Sequence, residues 1–202
     1  MIIIIGCGRS GTLYTHRCLT RAGLDFGHER LGMDGGVGWP LALGIEAVGY
    51  SKGQTFAPYT STAKRLHQVR EPIACLRTLR GHGNRIWSNV SKITGKLAGE
   101  NNPLLRAMQY WYRYNAACAP MAEYSYDVAD LGVVGSTSRK MVSWSLNVPE
   151  ETWDNTSSSV NHHAPPSPLS IDELMIVDDE LCVKILESWK KFKVTQKWPV
   201  LY

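Results

Sequence analysis

No stretch of this 202-residue chain stays apolar for the roughly 20 residues that a membrane-spanning helix needs. The opening run Met1-Ile2-Ile3-Ile4-Ile5 has no basic segment, is too short for a leader's hydrophobic core and precedes no cleavage site, so no secretory leader is expected. Disulfide architecture is also missing. Cys7, Cys18, Cys75, Cys118 and Cys182 are odd in number and widely spaced, with no CxxC and no Cys/His ligand cluster. Buried, reduced thiols and a cytoplasmic location are therefore expected, and no metal. The neighbours His162 and His163 lack further ligands at metal spacing. No run of lysine or arginine stands out either. With 22 basic against 18 acidic residues the chain carries +4, which suits a small anionic ligand but not a nucleic acid.

What is present reads as one domain over residues 1–202. Hydrophobic residues make up 44% and charged residues 20%, enough for a core without staples. Residues 2–5 are β-branched and end on glycine, predicting a strand buried on both faces. Residues 6–11 form a glycine-rich turn, 12–22 a helix closed by Gly23, and 24–28 a second strand. The glycine-rich stretch 29–61 reads as a long functional loop holding one short helix at 41–48. A third strand covers 66–70, followed by a helix that Pro72 opens and that runs to about Arg80. Residues 81–102 have no clear pattern. Further helices are predicted at 104–119 and 138–146, a strand at 124–128, a polar loop at 152–168, and a closing two-part helical region capped by Ser170 or Asp172. Alternating strands and helices predict an α/β fold with a central, mostly parallel sheet flanked by helices.

The turn after the first strand carries the functional argument. A strand, glycine loop and helix in succession aim backbone N–H groups and the positive end of a helix dipole at one spot. Gly6 and Gly11 occupy the two glycine positions of the nucleoside-triphosphate loop G-x-x-x-x-G-K-[ST]. Thr12 and Leu13 then stand where that loop has its phosphate lysine and its magnesium-binding hydroxyl. The amide nest is retained and the metal apparatus is absent. A cation, Arg9, lies inside the loop instead.

The segment Gly8-Arg9-Ser10-Gly11-Thr12 resembles the 5′-phosphosulfate loop of sulfotransferases. A second match lies downstream: Val69-Arg70-Glu71-Pro72 is followed eight residues after Arg70 by Thr78. This is similar to the arginine and serine with which that family holds the nucleotide's 3′-phosphate. A third is Gly23-Leu24-Asp25-Phe26-Gly27-His28-Glu29, similar to a segment of the bacterial and carbohydrate-type members. The resemblance covers the first eighty residues and thins beyond them. It implies a three-layer, P-loop-like fold and 3′-phosphoadenosine 5′-phosphosulfate as sulfuryl donor, with adenosine 3′,5′-bisphosphate as product and no metal. It also implies that Gly8, Arg9, Ser10, Gly11, Thr12 and Leu13 hold the 5′ end and Arg70 and Thr78 the 3′-phosphate.

Sulfuryl transfer needs a base for the acceptor's proton and a cation for the leaving oxygen. Glu29 is the first candidate base, with its ion pairing to Arg9 or Arg30 a nearly equal alternative. His28 comes next and then His67. In a regular strand His28 and Glu29 would face opposite ways. Arg9 is the candidate for the leaving oxygen. Trp39, Trp87 and the aromatic residues 110–114 are candidates to line a pocket for a small-molecule or carbohydrate acceptor. Trp111 is expected in the core, and Asn115 is a further possible site residue. Two other classes stay open: a kinase or NTPase with a degenerate loop, and a non-catalytic nucleotide-binding module.

Overall fold

The computed structural model describes residues 1–42, 63–81, 85–154 and 168–194. Its centre is a five-stranded sheet built from β1 (Ile2–Gly6), β2 (Phe26–His28), β3 (Gly35–Val37), β4 (Lys64–Val69) and β5 (Tyr124–Asp127). The spatial order is β2-β3-β1-β4-β5, and every pairing is parallel. The expected α/β architecture is present, with the sheet wholly rather than mostly parallel.

Period-two alternation explains why β1 reads as one apolar run. Ile3 and Ile5 enter one core, Ile4 the other, and all three are buried. On the Ile4 side pack α1 (Thr12–Arg21), α5 (Val128–Leu131), α6 (Thr137–Leu146) and the 3-10 turn Glu150–Trp153. On the Ile3/Ile5 side pack α2 (Pro72–Leu79), α3 (Arg85–Thr94), α4 (Pro103–Cys118) and α7 (Ile171–Val194). Helices thus cover both faces.

Helix boundaries follow local chemistry. Pro72 and Pro103 sit in the first turns of α2 and α4, capped by the side chains of Glu71 and Asn102. Ser170 and Glu173 form a reciprocal capping box, so Ser170, not Asp172, starts α7. The expected break inside α7 falls at Asp178, whose backbone leaves helical values. All five cysteines are free and buried. Among the described residues, no helix is long and apolar enough to cross a membrane.

Several expectations need correction. The second strand begins at Phe26 rather than residue 24, the last strand ends at Asp127, and α3 occupies the unpatterned region. The stretch 29–61 is not all loop, because β3 lies inside it, wedged between β2 and β1. Only residues 29–34 connect the parallel strands β2 and β3, far fewer than a helical crossover uses. The glycines make this possible. A Cβ on Gly27 or on its register partner Gly36 would lie 2.4 Å from the Arg30 carbonyl oxygen, so the crossing chain occupies the space that side chains would need. The helix expected at 41–48 and the long polar loop, with its His162-His163 pair, fall largely outside the described residues.

Candidate functional site

Strand order places the site. The helix after β1 covers one face of the sheet and those after β4 cover the other, so the C-terminal ends of these adjacent strands open a crevice. The loop after β1 and Arg70 after β4 stand at that crevice. The Arg70 guanidinium donates from Nη1 to the Arg9 carbonyl oxygen at 3.2 Å, joining the two sequence matches in space. Among the described residues Arg70 makes no ion pair, and its neighbour Glu71 is engaged in capping α2.

The loop is braced from below. Gln68, fully buried on β4, donates from Nε2 to the Ser10 carbonyl at 2.8 Å and accepts from the Thr15 and Tyr126 hydroxyls. A Cβ on Gly6 would sit 2.7 Å from Ser10 Oγ and 2.9 Å from the Gln68 carbonyl oxygen, so glycine is required there. The buried Ser10 hydroxyl packs into that corner without a hydrogen-bond partner. It does not point at ligand space.

Arg9 (φ 68°) and Gly11 (φ 91°) are both left-handed, flanking Ser10, the alternation that turns successive amides toward one concavity. Gly11 is the N-cap of α1 and offers no side-chain cap, so the N–H groups of Thr12 and Leu13 have no intrahelical acceptor. Two loop amides are already engaged, that of Ser10 donating to the Cys7 carbonyl at 3.0 Å. Gly8 N–H donates to the Tyr110 hydroxyl at 2.7 Å, and burial holds that phenol protonated by raising its pKa.

His28 and Glu29 both lie against this loop. His28 Nε2 is 3.2 Å from Thr12 Oγ1. Glu29 follows with φ 55°, a conformation that costs a non-glycine residue about 1 kcal/mol or more and ends strand alternation. Regular alternation therefore stops at His28 and no longer sets the direction of the Glu29 side chain. Glu29 is half-buried beside Arg9, and the Trp39 side chain hydrogen-bonds its carboxylate. Burial raises the Glu29 pKa, with the Trp39 bond and the Arg9 charge opposing the shift. His28 is lowered to about 4, first by burial and then by His16 and Arg17, so it is neutral near pH 7. Of the three left-handed non-glycine residues, Arg9 and Glu29 belong to this site, and Asn147 merely caps α6.

Compared with known proteins, this chain matches no family model, no curated protein and no solved structure. Its chemistry is read from its own residues.

Several of the expected site residues have their polar atoms engaged elsewhere. Thr78 lies on α2, the helix after Arg70, and its hydroxyl donates to the Cys75 carbonyl at 2.9 Å. His67 is a core residue: Nδ1 meets Ser125 Oγ at 2.8 Å and Nε2 meets Asn115 Oδ1 at 3.0 Å, and burial lowers its pKa to about 4. Asn115 is taken up by that contact and by its bond to the Trp111 carbonyl. Trp39 is buried, with its carbonyl accepting from the Tyr114 hydroxyl. Tyr110 and Tyr114 are core, and Trp111 is core as expected. Gln68, which braces the loop, is the contact residue that sequence reasoning missed, and Tyr110 and Trp39, expected as pocket walls, instead hold the Gly8 amide and the Glu29 carboxylate. The only signal for these contacts was polarity at positions that strand and helix periodicity buries.

Proposed function

We propose that the chain is a sulfotransferase that binds 3′-phosphoadenosine 5′-phosphosulfate across the crevice between the β1 loop and Arg70. The single observation carrying this reading is the Arg70–Arg9 contact, which joins a phosphate-type loop to a second guanidinium. The residues fit the nucleotide's two anionic ends. The uncapped α1 N-terminus and the left-handed turn offer amides of Thr12 and Leu13 to the 5′ end, beside Arg9. Arg70 offers its planar fork to the 3′-phosphate. Thr78 joins it by rotating its hydroxyl off the Cys75 carbonyl.

The donor supplies an activated sulfuryl group whose S–O bridge bond breaks as the acceptor oxygen or nitrogen bonds to sulfur. Glu29 takes the acceptor's proton, its carboxylate oriented by the Trp39 bond. Arg9 and the loop amides stabilise charge growing on the bridge oxygen, each preorganised donor contributing about 3–4 kcal/mol in comparable sites. His28 stays neutral and fixes Thr12.

A second reading, a nucleotide-binding module without catalysis, gains support from the engagement of Gly8 N–H by Tyr110 and of Thr78 by Cys75. Calorimetry with adenosine 3′,5′-bisphosphate, followed by donor turnover across an acceptor panel, tests both. The enzyme reading expects binding that Arg9→Ala and Arg70→Ala both weaken, and turnover. Binding without turnover across the panel selects the module. Unchanged affinity in both variants rejects the crevice altogether.

A further inference from the structure

A second cavity lies outside this crevice, on the far side of Tyr110. It is a groove of about 490 Å³ between α3, the loop after it and the start of α4, lined by Trp87, Ser91, Lys96, Glu100, Asn101 and Arg106, with Leu97 at its base. Its walls are held in place. Arg113 donates to the Lys96 carbonyl at 2.9 Å, Ala98 N–H to the Gln109 side chain at 2.7 Å, and Asn102 N–H to the Gly99 carbonyl at 2.9 Å. Trp87 is braced edge-on against Tyr110 with ring centroids 5.7 Å apart, and the Arg106 guanidinium lies 5.7 Å from the Trp87 ring centroid. A loop tied down this way is preorganised for a ligand, avoiding the entropy of ordering on binding.

We propose that this groove is a binding site for a polyhydroxylated ring acid, a sugar acid or cyclitol acid. Three features of the lining select that class. Sites for apolar or phenolic ligands are lined mostly by hydrophobic side chains, whereas among the described lining residues Trp87 and Leu97 are the apolar ones. Trp87 is the one indole among the described lining residues, and with the Arg106 guanidinium over part of its ring the remaining surface has room for one ligand ring. Among the described residues the lining holds two cations, Lys96 and Arg106, against the carboxylate of Glu100, and the exposed Lys96 favours an acidic ligand, while Asn101 and Glu100 offer partners to hydroxyls. Arg106 is buried, so its charge acts in a medium that screens it less than water does. The site stands or falls independently of the nucleotide reading, because none of its lining residues belongs to the crevice.

The test is an NMR titration of the full chain with D-glucuronate, D-glucose and benzoate, following the Trp87 indole signal, which a Trp87→Phe variant assigns. Glucuronate is expected to bind with Kd on the order of 1 mM, ordinary for a single small ring. Glucose lacks the acid and benzoate lacks the hydroxyls, and each is expected at least about tenfold weaker. Lys96 is exposed, so Lys96→Glu leaves the fold intact and should weaken glucuronate by about tenfold or more. Arg70→Ala should leave glucuronate binding unchanged. The proposal is overturned if glucuronate leaves the Trp87 signal unmoved, if benzoate or glucose binds as well, or if Arg70→Ala removes binding that Lys96→Glu preserves. The last result would place the carboxylate at the loop instead.

Discussion

Replacing Gln68 by leucine tests how the loop is held, with a side chain of similar volume and no polar atoms. Gln68 makes three buried hydrogen bonds, one to the Ser10 carbonyl and two from the Thr15 and Tyr126 hydroxyls. Removing it leaves that carbonyl without its donor and both hydroxyls without their shared acceptor. Each buried polar group left unsatisfied costs about 1–3 kcal/mol. Thr15 and Tyr126 stand within hydrogen-bond reach of each other, so one of the two hydroxyls can find a substitute partner. Two orphaned groups remain, and leucine recovers part of the loss through apolar burial. The expected loss is about 2–4 kcal/mol. For a chain of this length that lowers Tm by roughly 5–15 °C. Urea denaturation with an unchanged m-value measures it directly. Gln68→Glu keeps the two hydroxyl bonds but sets a carboxylate oxygen against the Ser10 carbonyl, so it should displace the loop and weaken nucleotide binding. A Gln68→Leu loss of about 0.5 kcal/mol or less, the range of an ordinary surface change, would refute the bracing role.

Other perturbations separate the parts of the site. Arg70→Ala is expected to weaken adenosine 3′,5′-bisphosphate by about 10–100-fold, the worth of one charged hydrogen-bonding partner, and Arg70→Lys to fall between, as calorimetry would show. Thr78→Val should weaken the same ligand by several-fold with little change in stability; unchanged affinity would leave Thr78 a helix residue only. Glu29→Gln should cut turnover by about 10²–10⁴-fold while leaving nucleotide affinity near wild type. Because burial raises the Glu29 pKa, the acid limb of the wild-type rate profile should lie above the ordinary carboxylate range, the rate falling as the base is protonated. His28 and His67 are both lowered to about 4, so the unfolded chain takes up their protons first as pH falls. Their contribution to stability is therefore complete above about pH 6.5 and shrinks as pH drops toward 4. An imidazole NMR titration of either residue near 6.5 would contradict this.

How much of this was legible in the sequence depended on whether one local interaction decided the structure. The β1–loop–α1 unit was, because four isoleucines can only be a strand buried on both faces and the glycines after them permit the turn. Arg70 and Pro72 marked a strand end and a helix start for equally local reasons. β3 was hidden because its Gly35-Gly36 pair has the composition of a loop, and only the chain crossing beneath Gly27 and Gly36 explains why a strand there must lack side chains. The end of strand alternation after His28 was hidden by the left-handed backbone at Glu29, which propensity for a glutamate does not suggest. Trp39 and Tyr110 looked like pocket walls because aromatic content says nothing about which polar atom the ring will hold. One holds the Glu29 carboxylate and the other the Gly8 amide.

The most direct test of the central claim is a crystal structure of the chain with adenosine 3′,5′-bisphosphate bound. The account predicts the 5′-phosphate on the amides of Thr12 and Leu13 beside Arg9, and the 3′-phosphate on Arg70 with the Thr78 hydroxyl turned toward it. A nucleotide found away from the crevice, or lying in it with no phosphate on Arg70, would contradict the account.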